Sequence, residues 1–188
     1  MSMMTKYVAA FVMLLAARAG ADPLGLIDYE QLFAENADAV EAADADRDLL
    51  QVGDIVILRG NEDDVTFMGL DQSGHGAVGC FVSVLASLES ALLACEVTLP
   101  AEQQAISDDY RARALAFYAE NAFPPADPAE VMRRYDALVA SEIDLARPFC
   151  SDPSVVTDFS DRLFVADTND EIDGMMSIPR LPVANPCL

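Results

Sequence analysis

The sequence has no tryptophan, a single histidine, and no lysine after residue 6. Basic residues are few, since 11 lysines and arginines stand against 32 aspartates and glutamates, for a formal net charge of −21. A surface this negative cannot neutralise phosphates, which argues against nucleic acid or anionic lipid as a partner. The charge favours solubility, cationic partners and divalent metals, and adaptation to a salty or oxidising exterior would also explain it.

Long hydrophobic runs are also absent. The N-terminal apolar run, from Tyr7 to Ala17, has eleven residues, whereas a membrane-spanning helix needs about 20. Lys6 precedes this run, and small residues with two A-x-A sites, ending at Ala19 and Ala21, follow it. This layout is typical of a secretory signal peptide. We expect removal of residues 1–21 in preference to a retained anchor, no membrane span after cleavage, and a periplasmic or secreted protein.

The remaining residues, 22–188, have the length of one domain, and no internal repeat is visible. Apolar residues three or four positions apart predict an acidic N-terminal helix over 26–43. Two β-branched runs flank a polar loop and predict a small β-hairpin. Near the C-terminus we expect one more short strand and an irregular tail. The ranges are 51–58 and 65–70 for the hairpin, 162–166 for the last strand and 178–188 for the tail.

Three longer helices are expected between these elements. Residues 77–95 are apolar almost all round, which indicates a buried helix, and Glu89 near its middle favours the protein core over a membrane. Pro100 opens a second helix that reaches residue 122. Asp127 then begins a capping box with proline at the first helical position, and a third helix runs to 146. Short connections predict an up-down-up core, and the fold class is therefore α+β.

Four cysteines in an exported chain predict two disulfides. Cys80 and Cys95 would lie about 22 Å apart along one helix, too far for a bond that needs α-carbons within about 7 Å. The first and third core helices should be parallel, which brings Cys95 and Cys150 to the same end of the core. We therefore predict Cys95–Cys150 and, by elimination, Cys80–Cys187, the second bridge tethering the tail.

A thiol nucleophile is one candidate chemistry. His75, the only histidine, lies five residues before Cys80. Cys80 itself would lie in the first turn of a predicted helix, where the helix dipole lowers the pKa of a thiol. The strand at 52–57 followed by His75 resembles the glycine-aspartate strand and histidine of circularly permuted NlpC/P60 cysteine peptidases. The spacing of Cys80 and His75 predicts a thiol hydrolase that uses these two residues, and the resemblance supports that class of enzyme. In the unpermuted enzymes the nucleophile precedes the strand, where this chain has no cysteine, and in the permuted ones it follows in a later segment that neither Cys95 nor Cys150 clearly matches. The alternative is a turn histidine beside a disulfide cysteine.

Calcium binding is a second candidate chemistry. The segment 169–174 fits the first six positions of a calcium loop, with Asn169, Glu171 and Asp173 at alternate positions. Arg180 occupies the twelfth position, where an EF-hand requires a bidentate glutamate, so only a weak site is compatible with the sequence. An ordinary turn is the alternative. The cysteines lack C-x-x-C spacing, which argues against a structural zinc site.

No catalytic pattern in the sequence is stronger than its structural alternative. We therefore expect a non-catalytic exported module that binds an envelope or secreted protein or supports an envelope assembly, and that needs no cofactor. The thiol hydrolase and the weak calcium-binding protein remain the two other hypotheses.

Overall fold

A computed structural model describes residues 22–60, 66–185 and 187; the predicted signal peptide, 1–21, lies outside the described residues. The described chain has an α+β fold, as predicted, with six α-helices and one four-stranded antiparallel sheet. The helices are α1 (Tyr29–Glu35), α2 (Val78–Ala94), α3 (Ala101–Asn121), α4 (Pro128–Ala146), α5 (Ser154–Leu163) and α6 (Asn169–Met175). The strands are β1 (Glu41–Ala42), β2 (Arg47–Val52), β3 (Ile55–Gly60) and β4 (Phe67–Asp71), in that order across the sheet.

The sheet is larger than the predicted hairpin. The run at 51–58, expected to be one strand, contains a turn, because Val52 pairs with Ile55 across a two-residue loop. Gly53, the first loop residue, has a φ of +59°, which a residue without a Cβ adopts at little cost. β2 and β3 therefore form one hairpin, and β3 and β4, the latter near the predicted strand at 65–70, form the next.

The acidic N-terminal helix is shorter than the predicted range, 26–43. Asp28 caps α1 by accepting a hydrogen bond from the Gln31 backbone N–H at 2.8 Å. Asn36 follows the last residue of α1 and donates from its side chain to the Leu32 carbonyl at 2.8 Å. A single 3₁₀ turn, Ala37–Ala39, and the short strand β1 complete the predicted range. Asparagine competes for backbone hydrogen bonds in this way and so ends helices that apolar periodicity alone would extend.

The helical core forms around α2. The helices α2, α3 and α4 each pack against the other two, and their bounds lie within one residue of the predicted ranges. α2 buries residues on most of its circumference, and the hydroxyl of the fully buried Ser90 donates to the carbonyls of Ala86 and Val139. In the part of the chain that the structure describes, no helix is both long enough and apolar enough to cross a membrane.

Two disulfides fasten the ends of α2. Cys95, directly after α2, is bonded to Cys150 in the 3₁₀ segment that follows α4, with α-carbons 4.9 Å apart. Cys80, in the first turn of α2, is bonded to Cys187 in the tail, with α-carbons 5.1 Å apart. These are the two pairs that the helix geometry predicted.

The predicted last strand, 162–166, is wrong. Residues up to Leu163 complete the helix α5, which the sequence analysis missed, and a 3₁₀ turn begins at Ala166. Val156, Ser160 and Phe164 are buried at a spacing of four residues, which is the period of one helix face. The short apolar stretch at the end of this face was misread as a strand, because periodicity over a few residues does not separate the two states.

The tail is irregular, as predicted, but it is part of the core. Val183 is fully buried and belongs to the apolar cluster of the sheet. The Gly79 backbone N–H donates to the Val183 carbonyl at 3.0 Å, and a Cβ at Gly79 would lie 2.5 Å from the Pro182 oxygen. Asn185 forms a parallel bridge with Leu70 on β4. The tail therefore covers the outer edge of β4 and leaves no room for a side chain at residue 79.

A buried ion pair anchors the start of the tail. The side chains of Arg180 and Asp71 are 4% and 1% exposed, and Arg180 Nε donates to Asp71 Oδ2 at 2.7 Å. The other guanidinium nitrogens donate to the carbonyls of Gly76, Met175 and Ile178. Both charges are thus hydrogen-bonded as well as paired, which a buried ion pair requires to be tolerated.

Candidate functional site

The structure gives the thiol-hydrolase hypothesis no free nucleophile. Cys80 Sγ is bonded to Cys187, and all cysteines of the described chain are in disulfides. His75 is exposed, and its backbone N–H donates to the Ser73 hydroxyl at 3.2 Å. The alternative interpretation, a turn histidine near a disulfide cysteine, describes this arrangement.

The residues proposed to bind calcium do not lie on a loop. Asn169, Glu171 and Asp173 belong to the helix α6, where side chains at alternate positions point in different directions. The Asp173 carboxylate accepts from the guanidinium of Arg113 on α3. Within the described residues, no group of three or more histidine, cysteine, aspartate or glutamate side chains is arranged to hold a metal ion.

An open cleft of about 480 Å³ lies beside the helical core. It is lined by the second half of α2, the connection from α2 to α3, the first half of α3, and Phe164 after α5. Its volume lies within the range of about 300–1,000 Å³ that is typical of ligand sites. Apolar and charged side chains share the lining, and the residues that line it include neither a cysteine nor a histidine.

Glu89 provides the first charge of the cleft and is the only charged residue of α2. Its carboxylate accepts from the Tyr135 hydroxyl on α4 at 2.9 Å and from Arg111 Nη1 on α3 at 3.2 Å. Arg111 also donates to Asp108 at 2.9 Å, so its guanidinium already bonds to two carboxylates. These bonds connect the three core helices at the floor of the cleft.

The Tyr135 hydroxyl is held in its protonated, donating form. Burial raises the pKa of Tyr135 far above its ordinary value, and the negative charge of Glu89 raises it further. The Glu89 side chain is about one-third exposed and lines the cleft. The arrangement can therefore hold a charge in place, but it contains no pair of nucleophile and base.

Glu96 provides the second carboxylate of the cleft and has an unusual backbone conformation. It is the only non-glycine residue of the described chain with a positive φ, +54°. The Glu96 and Val97 N–H groups donate to the carbonyls of Leu93 and Leu92, a Schellman motif in which the left-handed residue is usually glycine. A residue with a Cβ costs about 1 kcal/mol or more in this conformation. The side chain that incurs this cost is exposed and lines the cleft.

This cleft was not predicted from the sequence. Its lining residues come from 85–111 and from Phe164, and none was a candidate site residue. Two signals point to it in retrospect. One is the single charge of an otherwise apolar helix, Glu89, and the other is the absence of glycine after the helix end at Cys95.

No family model, curated protein or solved structure matches this chain. A function can therefore be inferred only from the geometry of the cleft.

Proposed function

We propose that this protein is an exported, non-catalytic binding module that takes a segment of a partner protein into the cleft beside α2. The cleft itself carries the proposal, because it combines apolar walls with fixed charges and its lining includes no cysteine or histidine that could serve as nucleophile or base. The partner is an envelope or secreted protein, and the activity is binding without turnover.

The disulfides support the location. Two bonded pairs, Cys80–Cys187 and Cys95–Cys150, fit a protein that folds outside the cytoplasm, where such bonds form and persist. The signal-peptide pattern in residues 1–21 supports export through the secretory route. The choice between the periplasm and the external medium belongs to the proposal.

The open shape of the cleft favours a polypeptide over a small molecule. Sites for small ligands usually bury 70–90% of the ligand surface, and this cleft is open along one side. Leu93 lies on its rim and is 57% exposed, the most exposed of the large apolar residues in the described chain. A protein segment can cover this leucine while it fills the cleft, which a compact ligand at the floor would not do.

The test is site-specific photo-crosslinking in the producing cell. A photo-reactive amino acid replaces Leu93, and a matched variant carries it at Met68 on β4, an exposed apolar position that does not line the cleft. We expect a discrete crosslinked product with one exported protein from the position in the cleft and none from the position on the sheet. No product at residue 93, or the same products at both positions, would contradict the proposal.

A further inference from the structure

We infer that the cleft selects a partner segment in which one basic side chain, arginine or lysine, is flanked by apolar side chains. This inference rests on the proposed function and deepens it, because it names the chemistry of the occupant. It follows from the charge, the backbone conformation and the walls of the same cleft.

The charges of the cleft favour a cation over an anion. Two carboxylates, Glu89 and Glu96, and one guanidinium, Arg111, line it. The guanidinium already bonds to Glu89 and to Asp108. An incoming anion would therefore compete with two existing carboxylates for Arg111, whereas an incoming cation meets the carboxylate of Glu96. The net charge of the whole chain, −21, also attracts a basic segment from a distance.

Glu96 is the best candidate for the contact with the cation. Glycine would be the less costly residue at its left-handed position, whereas glutamate there adds an exposed acidic side chain to the lining of the cleft. An outlier of this kind points to function when its side chain faces a cavity. Neighbouring Cys95 is fixed to Cys150, so the position of Glu96 is set before any partner arrives.

The walls of the cleft account for the apolar flanks. Leu85 and Leu92 come from α2, Val97 and Leu99 from the connection to α3, and Phe164 from the segment after α5. Burial of apolar surface supplies most of the binding free energy in such sites, while charges set specificity and association rate. A basic side chain alone would leave the exposed parts of Leu92, Leu93 and Val97 in water, and an apolar segment alone would give Glu96 no counter-ion.

The experiment selects peptides from a displayed random library on the full chain of residues 22–188 with its disulfides intact. The enriched peptides are then synthesised, and their dissociation constants are measured by fluorescence polarisation on three proteins. These are the unchanged chain, Glu96→Gln, and Glu102→Gln, a control that removes the same charge from an exposed position on α3 outside the cleft. Each peptide is also made with its basic residue replaced by norleucine.

We expect the selected peptides to contain one basic residue between apolar residues. Glu96→Gln should weaken their binding about fivefold, since a partly exposed ion pair is worth up to about 1 kcal/mol. On the unchanged chain, the norleucine peptides should also bind about fivefold more weakly than the peptides they derive from. On Glu96→Gln, the norleucine replacement should cause no further loss of affinity. Glu102→Gln should bind the selected peptides with the affinity of the unchanged chain. Acidic or neutral consensus sequences, equal losses in both variants, or no enrichment would overturn the inference.

The two proposals fail in different ways. A crosslink from residue 93 to a partner protein, combined with peptides that bind without charge preference, removes the selectivity for a basic residue and leaves the binding module intact. The absence of a crosslink from residue 93 refutes the proposal that the cleft binds a partner protein in the cell, even if the cleft selects peptides in solution.

Discussion

The ion pair between Arg180 and Asp71 gives the most informative test of how the tail is held. Arg180→Met keeps the length and apolar stem of the side chain but removes a guanidinium that hydrogen-bonds to Asp71 and to three backbone carbonyls. The Asp71 carboxylate, 1% exposed, would then keep only its bonds from the N–H and hydroxyl of Ser73. Breaking a buried pair on one side costs about 3–5 kcal/mol.

We therefore expect Arg180→Met to lower the free energy of unfolding by about 4 kcal/mol, a large part of the 5–15 kcal/mol typical of a domain. At roughly 2–4 °C per kcal/mol for a domain of this size, Tm should fall by about 8–16 °C. Urea unfolding without reductant and calorimetry would measure both quantities. The control is Arg162→Met, at an exposed position in the last turn of α5, which should change stability by less than about 0.5 kcal/mol.

A second substitution separates the loss of the charge partner from the loss of packing. In the Arg180→Met background, Asp71→Asn removes the uncompensated buried charge and should recover a substantial part of the lost stability. The reasoning would be refuted if Arg180→Met cost less than about 1 kcal/mol. It would also be refuted if Asp71→Asn recovered nothing, because the damage would then lie in packing.

Three further predictions concern other parts of the fold. Glu96→Gly should raise the free energy of unfolding by about 1 kcal/mol in urea titrations, because glycine adopts the left-handed conformation without strain; no gain would contradict a cost at this position. Replacing both Cys95 and Cys150 by serine should lower the free energy of unfolding by about 4 kcal/mol, because the disulfide joins residues 55 positions apart. A loss of less than about 1 kcal/mol would contradict this expectation. Burial and neighbouring carboxylates raise the pKa values of Tyr118 and Tyr135 in the folded state, so unfolding releases phenol protons above pH 10. The free energy of unfolding should keep its full value below that pH and should fall above it by about 1.4 kcal/mol per pH unit for each tyrosine. Measurements of Tm against pH would show the loss of stability, and absorbance at 295 nm would show the ionisation of the phenols. Ionisation of the phenols without a loss of stability would contradict the prediction.

The sequence predicted the helical core because its boundaries carry strong local signals. Pro100 and Asp127-Pro128 fix where α3 and α4 begin, and the Asp127 side chain accepts a hydrogen bond from the Ala129 N–H as a helix cap should. The disulfide pairs followed from the length of the first core helix, which excludes Cys80–Cys95, and from the expected parallel arrangement of the first and third core helices. The sheet was less predictable, since Gly53-Asp54 forms a two-residue turn inside an apolar run that looked continuous.

The cleft could not be predicted because it depends on how the helices are rotated against each other. The bonds from Arg111 and Tyr135 to Glu89 join residues that are 22 and 46 positions apart in the chain. Apolar periodicity gives the buried face of each helix but not which polar residue on one helix meets which on the next. The sequence signal for the left-handed conformation of Glu96 is only indirect, since it consists of the missing glycine after Cys95, where glycine usually marks this position.

The covered edge of β4 sets the order in which this protein can fold. Asn185 and Cys187 follow their partners Leu70 and Cys80 by more than a hundred residues along the chain, so synthesis from the N-terminus makes the partners available first. Until the tail arrives, β4 has an unpaired edge, which is a site for pairing with other chains. A chain made from its N-terminus therefore completes its sheet edge and its Cys80–Cys187 bond only once the tail is available, and any factor that shields exposed strands would have to act on β4 before then.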